Sequence, residues 1–392
     1  MDSGSIAFVL ISALLVWIMT PGLGLFYAGL GRQENRQHTI IVSLLLVGVT
    51  AVVWVLIGYS LAFGGVGKYL ALNNLSFDRS TRGLKIPDGL FALFQGMFPI
   101  ITVAIITGSI IGRMRIKAML VFLSLWIIVV YSPLAHMVWD NGFLAKLGAI
   151  DFAGGTVVHI SSGLTGLILA LILGKRNPGE EGKIDSRYVL LGGIFLWLGW
   201  FGFNAGSALA ANGQAILAFA NTWAASAIAL LTYAAVAYQR QGKLSIADLM
   251  TGALTGLVVI TPAAGFVQIW AALLMGAIVG PVGYWSITAL KAFFGYDDTL
   301  DAFGIHGIGG ILGALLTGVF ADPKLAGSAG LISGHWDLLA KQALAVLVTV
   351  VLVTVGSIIL AGLTRIIIGP LRVDARNELR GFDFRLHILI EE

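Results

Sequence analysis

Long apolar runs, set apart by short polar segments, follow one another along this whole chain. Each run is near the ~20 residues an α-helix needs to cross a hydrocarbon core. The pattern predicts eleven transmembrane spans at residues 6–27, 39–63, 89–111, 119–138, 152–173, 188–210, 215–238, 249–267, 271–293, 300–320 and 339–367. The eighth and ninth are separated by almost nothing. The outer segment 64–88 is the longest loop candidate, and no soluble domain or low-complexity linker is visible.

The polar segments carry an orientation signal. With the N-terminus outside, the inner face collects Arg32, Arg36, Arg113, Arg115, Lys117, Lys175, Arg176, Lys183, Arg187, Arg240, Lys243, Lys291, Arg365, Arg372, Arg376, Arg380 and Arg385. The outer face keeps Lys68, Arg79, Arg82, Lys85, Lys146, Lys324 and Lys341. Cytoplasmic loops of membrane proteins are enriched in Lys and Arg, so the bias puts the N-terminus outside and, with an odd span count, the C-terminus inside. No basic stretch precedes the first span, so a cleavable signal peptide is not expected. Ten of the spans divide into two sets of five. Because five is odd, the second set enters with opposite topology, as in transporters built from inverted repeats, and the eleventh span is an addition. One sequence parallel supports this: Asp151 precedes His159 in the fifth span, and Asp301 precedes His306 in the tenth.

Composition sharpens the class. Hydrophobic residues make up 58% of the chain and charged residues 11%, against roughly 25% charged in a soluble domain. The mean hydropathy is +0.92. Lipid is therefore the natural solvent, and the chain reads as an all-α, multi-pass cell-membrane protein. The net charge is only +4, so nucleic acid is not an expected partner. The absence of cysteine excludes disulfides, thiolate metal sites and thiol catalysis. The 51 glycines in 392 residues exceed the average share of about 7% and allow helix backbones to approach closely. The organisation expected is a transmembrane domain over 1–370 and a cytosolic tail over 371–392.

Ionisable residues inside a span are costly and mark functional candidates. His159 and His306 reach mid-membrane depth from opposite faces. They could hydrogen-bond each other and share or relay a proton, since imidazole both donates and accepts. They could equally be two separate core histidines, each satisfied by a backbone carbonyl. Asp151 stands where an N-cap would, its carboxylate accepting from the amides of Ala153 or Gly154, and it would also bring negative charge to the mouth of the span. Asp301 is the corresponding cap expected for the tenth span. Near the outer ends lie Phe98, Trp139 and Phe203. They read either as interfacial anchors or as a cage for a small cation, worth ~2 kcal/mol or more when desolvated. Ser207 shares a helix face with Phe203.

The stretch Asp151-Phe152-Ala153-Gly154-Gly155-Thr156-Val157-Val158-His159 resembles the signature of the ammonium transporter family (Amt/Mep/Rh). So do residues 200–207, the Pro21-Gly22 to Ala28-Gly29 region, residues 260–266 and Phe303-Gly304-Ile305-His306-Gly307. The likeness covers essentially the whole chain in order. It implies a homotrimer of eleven-helix protomers, each with its own narrow pore and needing no cofactor. By motif match, Phe98, Trp139 and Ser207 form an external ammonium-recruitment site shaped by Asp151. Phe98 and Phe203 form the gate, and His159 and His306 are the twin histidines of a dry pore. Trp200 packs behind the pore, and Gln95 and Thr261 line or support its mouth. Ammonium, or methylammonium as its analogue, would be captured, deprotonated and passed inward as ammonia, with or without its proton. A PII signalling protein is a family partner for the cytosolic face, with the loops around 113–117, 175–187 and 243–248 as its basic landing surface.

Three departures stand out. Pro99 follows Phe98 and removes the backbone bond to the Gln95 carbonyl, so a kink at the gate is expected. Asp140 follows Trp139 where glycine is usual, adding negative charge at the mouth. Gly112 stands where an acidic residue is common. In the tail, Gly381, Phe382 and Asp383 resemble the family's Gly-Leu-Asp segment, while the apolar run from Leu386 to Ile390 is unlike the usual polar tail and would suit a chain that continues into another domain. A sensor of the same fold, binding ammonium and signalling through its tail with little or no transport, is therefore the alternative to a transporter. An intramembrane enzyme using His159, His306 and Asp151 lacks any accompanying nucleophile, metal or cofactor motif.

Overall fold

The structure, a computed structural model, describes residues 1–64, 67–177 and 183–383. Ten helices among them are long and apolar enough to cross a membrane: α1 (Ser3–Leu30), α2 (Gln33–Phe63), α3 (Asp88–Thr107), α4 (Ile116–Leu147), α5 (Gly155–Leu173), α6 (Ser186–Gly206), α7 (Gly213–Gln241), α9 (Ile269–Phe294), α10 (Phe303–Phe320) and α11 (Asp337–Ile368). Between α7 and α9 lies the shorter apolar helix α8 (Ile246–Ile260), started by a reciprocal Ser245–Asp248 capping box. Ten of the eleven expected spans are therefore present as helices of crossing length, and the eighth as the shorter α8. The near-absent gap between the eighth and ninth resolves as a run of turns over residues 261–266.

Burial separates the lipid face from the interior. On α11, Leu347, Val351, Val355, Ile358, Ile359 and Ile366 are exposed apolar residues, as a bilayer requires and water does not tolerate in such number. By contrast α3 is buried along most of its length, so it runs through the middle of the bundle. It continues through Pro99 as one helix. The break that proline imposes on the ladder does not interrupt the element, because neighbouring helices hold it in place.

Glycines set two crossings. A Cβ at Gly192 of α6 would lie 2.3 Å from the Phe26 nitrogen of α1, so these helices touch backbone to backbone. A Cβ at Gly163 of α5 would lie 2.3 Å from the Gly307 nitrogen of α10. That second approach lies one helical turn beyond His159 and next to His306.

The ends of α5 and α10 differ from expectation. The fifth helix begins at Gly155, after Gly154 in the left-handed region at φ 116°, and its first turn is π-wound. His159 N donates to Gly154 O across five residues at 3.1 Å. The tenth helix begins at Phe303, also with a π-wound turn. Asp301 does not cap it. Its backbone sits in the left-handed region at φ 60°, and its carboxylate accepts from Lys291 Nζ of α9 at 2.6 Å. The carboxylate that receives the Phe303 amide, at 2.7 Å, belongs to Asp298. A lysine from another helix thus draws Asp301 aside, which sequence spacing could not reveal.

The tail is docked. Arg115 N donates to Leu371 O and Val373 N to Arg113 O, joining the segment to the loop after α3. A short helix α12 (Ala375–Arg380) follows. Asp383 then accepts from the amides of Gln37 and His38 at 3.0 and 2.8 Å, supplying from a distance the cap that α2 lacks locally. Phe382 packs on the His38 ring at 4.4 Å. Arg385 and the apolar run from Leu386 to Ile390 lie outside the described residues.

Candidate functional site

The local chain at 151–157 is a nest of backbone donors. Asp151 Oδ1 accepts from the amides of Gly154 and Gly155 at 2.8 Å, and Oδ2 from Thr156 at 2.7 Å and Val157 at 3.3 Å. Of the two amides expected, Gly154 is used and Ala153 is not. The Asp151 carbonyl accepts from Trp139 Nε1 at 2.9 Å. Asp151 therefore fixes both the start of α5 and the plane of the Trp139 indole. It does not itself line the adjoining cavity.

That cavity measures about 140 Å³ and is walled by Phe63, Phe91, Gln95, Phe98, Trp139, Phe152, Ser207 and Leu209. The Phe98 ring meets Trp139 edge-on at 5.9 Å. It meets Phe203 at 4.5 Å with a 41° tilt, closing the floor. Ser207 Oγ donates to Phe203 O at 2.8 Å, which leaves its lone pairs to accept. Gln95 Oε1 is buried and has no partner within the protein. The walls thus offer aromatic faces and oxygen acceptors, the chemistry that suits a small hydrogen-bond-donating cation.

Beneath the two phenylalanines the character changes. His159 is buried and stacks on Trp200 at 5.3 Å and on Phe203 at 6.0 Å. Trp200 Nε1 donates to Thr261 Oγ1 at 2.9 Å, so Thr261 sets the plane on which His159 rests. His159 Nδ1 and His306 Nδ1 are 3.2 Å apart. One of these nitrogens must donate and the other accept, so the pair shares one hydrogen between two rings. His159 Nε2 is buried without a partner. His306 then borders a space of about 10 Å³ lined by Leu23, Phe26, Tyr27, Ile101, Ile105, Leu196, Trp200, Leu254 and Ile305. That is about the room of a single water, and its lining is almost wholly apolar. Further in, a 40 Å³ cavity is bounded by Arg32, Asn35, Thr39, Gly112, Arg176 and Thr299, among others.

The sequence reading did not include Phe63, Phe91, Phe152 and Leu209 among the wall residues, and no signal in the spans distinguishes them from core. It also overlooked Asp298. There a signal existed: Asp298 precedes His306 by the same eight residues that separate Asp151 from His159. Two charge assignments change. Asp140 is not a free negative charge, because Arg82 Nη1 pairs with it at 2.8 Å. Arg113 is not part of a basic surface. Its side chain is fully buried, bonding Gly174 O at 2.5 Å and Asp297 O at 2.7 Å. Beside it Asp297 is partly buried, which pushes its carboxyl up, but bonds from Arg176 and the nearby Arg113 outweigh this and hold it below the usual range.

Comparison with known proteins gives a consistent picture. The family described as "Ammonium Transporter Family" matches residues 7–390. The ammonium transporter of Bacillus subtilis (strain 168) is 43% identical, covering 99% of this chain and 98% of its own. The crystal structure of Saccharomyces cerevisiae Mep2 superimposes with a TM-score of 0.88 at 37% identity, covering 96% of this chain and 88% of that one. A structure titled "Sensor Amt Protein" gives 0.88 at 27% identity, covering 96% of both chains.

Proposed function

The chain belongs to the Ammonium Transporter Family, and from that premise we propose how its residues move ammonium across the membrane. Ammonium enters the outer cavity, where Gln95 Oε1 and Ser207 Oγ accept hydrogen bonds from it and the Phe98 and Trp139 faces meet its charge. Potassium is close in size but donates no hydrogen bonds, so directional acceptors discriminate where a size filter would not. Asp151 holds this site in shape through Trp139 and the amides of α5. The Phe98–Phe203 contact must open by ring rotation to admit anything.

The observation that carries the reading is the 3.2 Å contact between two buried imidazoles at the boundary between an acceptor-lined cavity and a dry one. An ion entering the apolar space would lose its hydration, which disfavours the charged form and favours release of a proton. The ring of the pair that donates through Nδ1 keeps a free lone pair on Nε2, and His159 Nε2 is without a partner, so the pair can take up that proton while neutral ammonia continues past Ile305 and Leu254. The inner face is cytosolic by the Lys and Arg bias. The Asp–His spacing, equal in α5 and α10, supports two five-helix repeats of opposite topology with α11 added. A homotrimer is the expected assembly. A PII protein would meet the exposed Lys117 and Lys243 side.

An ammonium jump on proteoliposomes, read as current together with an internal pH dye, tests this. Saturable current weakened by His159→Leu or His306→Leu supports proton-coupled passage. Alkalinisation without current supports electroneutral ammonia passage. Saturable binding with neither signal overturns transport in favour of a sensor, the reading that the 27% identical sensor structure keeps in view.

A further inference from the structure

Arg82 comes from the loop between α2 and α3, and its guanidinium reaches the wall of the outer cavity. Its Cζ lies 4.7 Å from the centroid of Phe91 and 5.5 Å from that of Phe63. These two rings meet edge-on at 5.0 Å and both line the cavity with Phe98 and Trp139. Arg82 Nη2 also donates to Phe63 O. The wall of a site that takes a cation therefore already carries a cation. Its counter-charge is Asp140, paired at 2.8 Å and next in sequence to Trp139. The two side chains are only 22% and 19% exposed, so solvent screens them weakly. Asp140 has one further partner, His136 Nδ1 at 3.4 Å, while the nearby Asp88 carboxylate is occupied by Thr81.

We propose that the Arg82–Asp140 pair sets the affinity of the outer cavity for ammonium, with Asp140 cancelling a resident guanidinium that would otherwise repel the substrate. This rests on the transport reading above, with the outer cavity as the ammonium site. Arg82 and Asp140 are positioning residues: neither touches the ion, and each acts through the field at Phe63, Phe91 and Trp139. An uncompensated unit charge behind that wall, at an effective dielectric between that of a protein surface and water, changes occupancy roughly fivefold.

The test is concentration-dependent ammonium uptake into proteoliposomes by the full chain and four variants, at low and high ionic strength. Asp140→Asn should raise the half-saturating concentration roughly fivefold and Arg82→Gln should lower it by a similar factor. The double variant should return close to the parent, with maximal rates nearly unchanged throughout. Added salt should leave most of both single-variant shifts in place, because the pair is largely shielded from solvent. Arg82→Lys keeps the charge and should stay near the parent. Shifts of the same sign in both single variants, a lowered maximal rate at constant half-saturation, or Arg82→Lys behaving like Arg82→Gln would overturn the proposal and leave the pair as a strap for the outer loop. A parent chain with no saturable uptake would instead overturn the underlying transport reading.

Discussion

The starts of α5 and α10 are built on one plan and held by different means. Each has an aspartate eight residues before a buried histidine, an irregular approach and a π-wound first turn. At α5 the carboxylate of Asp151 is saturated by four backbone amides. At α10 Asp298 receives one amide through Oδ2, and Oδ1 is unpartnered. The rest of the support there comes from side chains: Lys291 binds both the Asp298 carbonyl and the Asp301 carboxylate. The difference teaches that backbone glycines at 154 and 155 let a chain wrap tightly around its own carboxylate. Without such a pair, a cation must be brought from another helix.

The strongest way to break this comparison is to remove each carboxylate. Asp151→Ala strands four buried donors at about 1–3 kcal/mol each, a loss comparable with the whole stability of a typical fold. No monodisperse protein should be recovered on size exclusion. Asp298→Ala strands one amide, and a folded protein with a lowered melting temperature is expected. Equal losses would show that the α10 carboxylate is as deeply embedded as its counterpart.

Next in size is the crossing that brings the two histidines together. Gly163→Ala places a methyl against the Gly307 backbone, and it should part the His159–His306 contact and cut uptake at least tenfold in proteoliposomes. Gly362→Ala on the outer face of α11 has nothing within 4 Å and should leave uptake unchanged. A smaller effect is expected from Lys291→Met, which removes two hydrogen bonds at α10 and none at α5. A loss of about 1–3 kcal/mol should appear as a lower melting temperature, with hydrogen exchange rising in residues 297–303 and not in 151–157.

The smallest effect concerns acid. Asp297, next to Asp298, is held below the usual carboxylate range by Arg176 and Arg113 against the opposing push of burial. A lowered folded value gives stability that is complete above the unfolded value of about 3.9 and is lost as pH falls through the folded one. The parent should lose melting temperature below about pH 4, and Asp297→Asn should show a shallower acid limb. An identical limb in both would remove this contribution from the α10 side.

Much of the site was readable residue by residue. His159 and His306 stand out as ionisable residues inside spans, and Phe98, Trp139, Phe203 and Ser207 are brought together in the sequence only by the motif resemblance, which their contacts match. Most of the unread parts depend on partners from another element, some of them far off in sequence. Arg82 reaches Asp140 across 58 residues, Lys291 moves Asp301 off its expected role, and Asp383 caps a helix 345 positions away.

The sequence by itself determined that this chain lives in lipid and that it is built from some ten or eleven apolar helices. These follow from the summed hydropathy of each segment and from the demand that a buried backbone bond to itself. Only the tertiary structure decided which carboxylate holds α10, whether Asp140 is free or paired, and that two imidazoles 147 residues apart meet at 3.2 Å. Hydropathy is a property of one segment at a time. A hydrogen bond needs two groups within a few tenths of an ångström, and here a glycine crossing between α5 and α10 supplies that closeness.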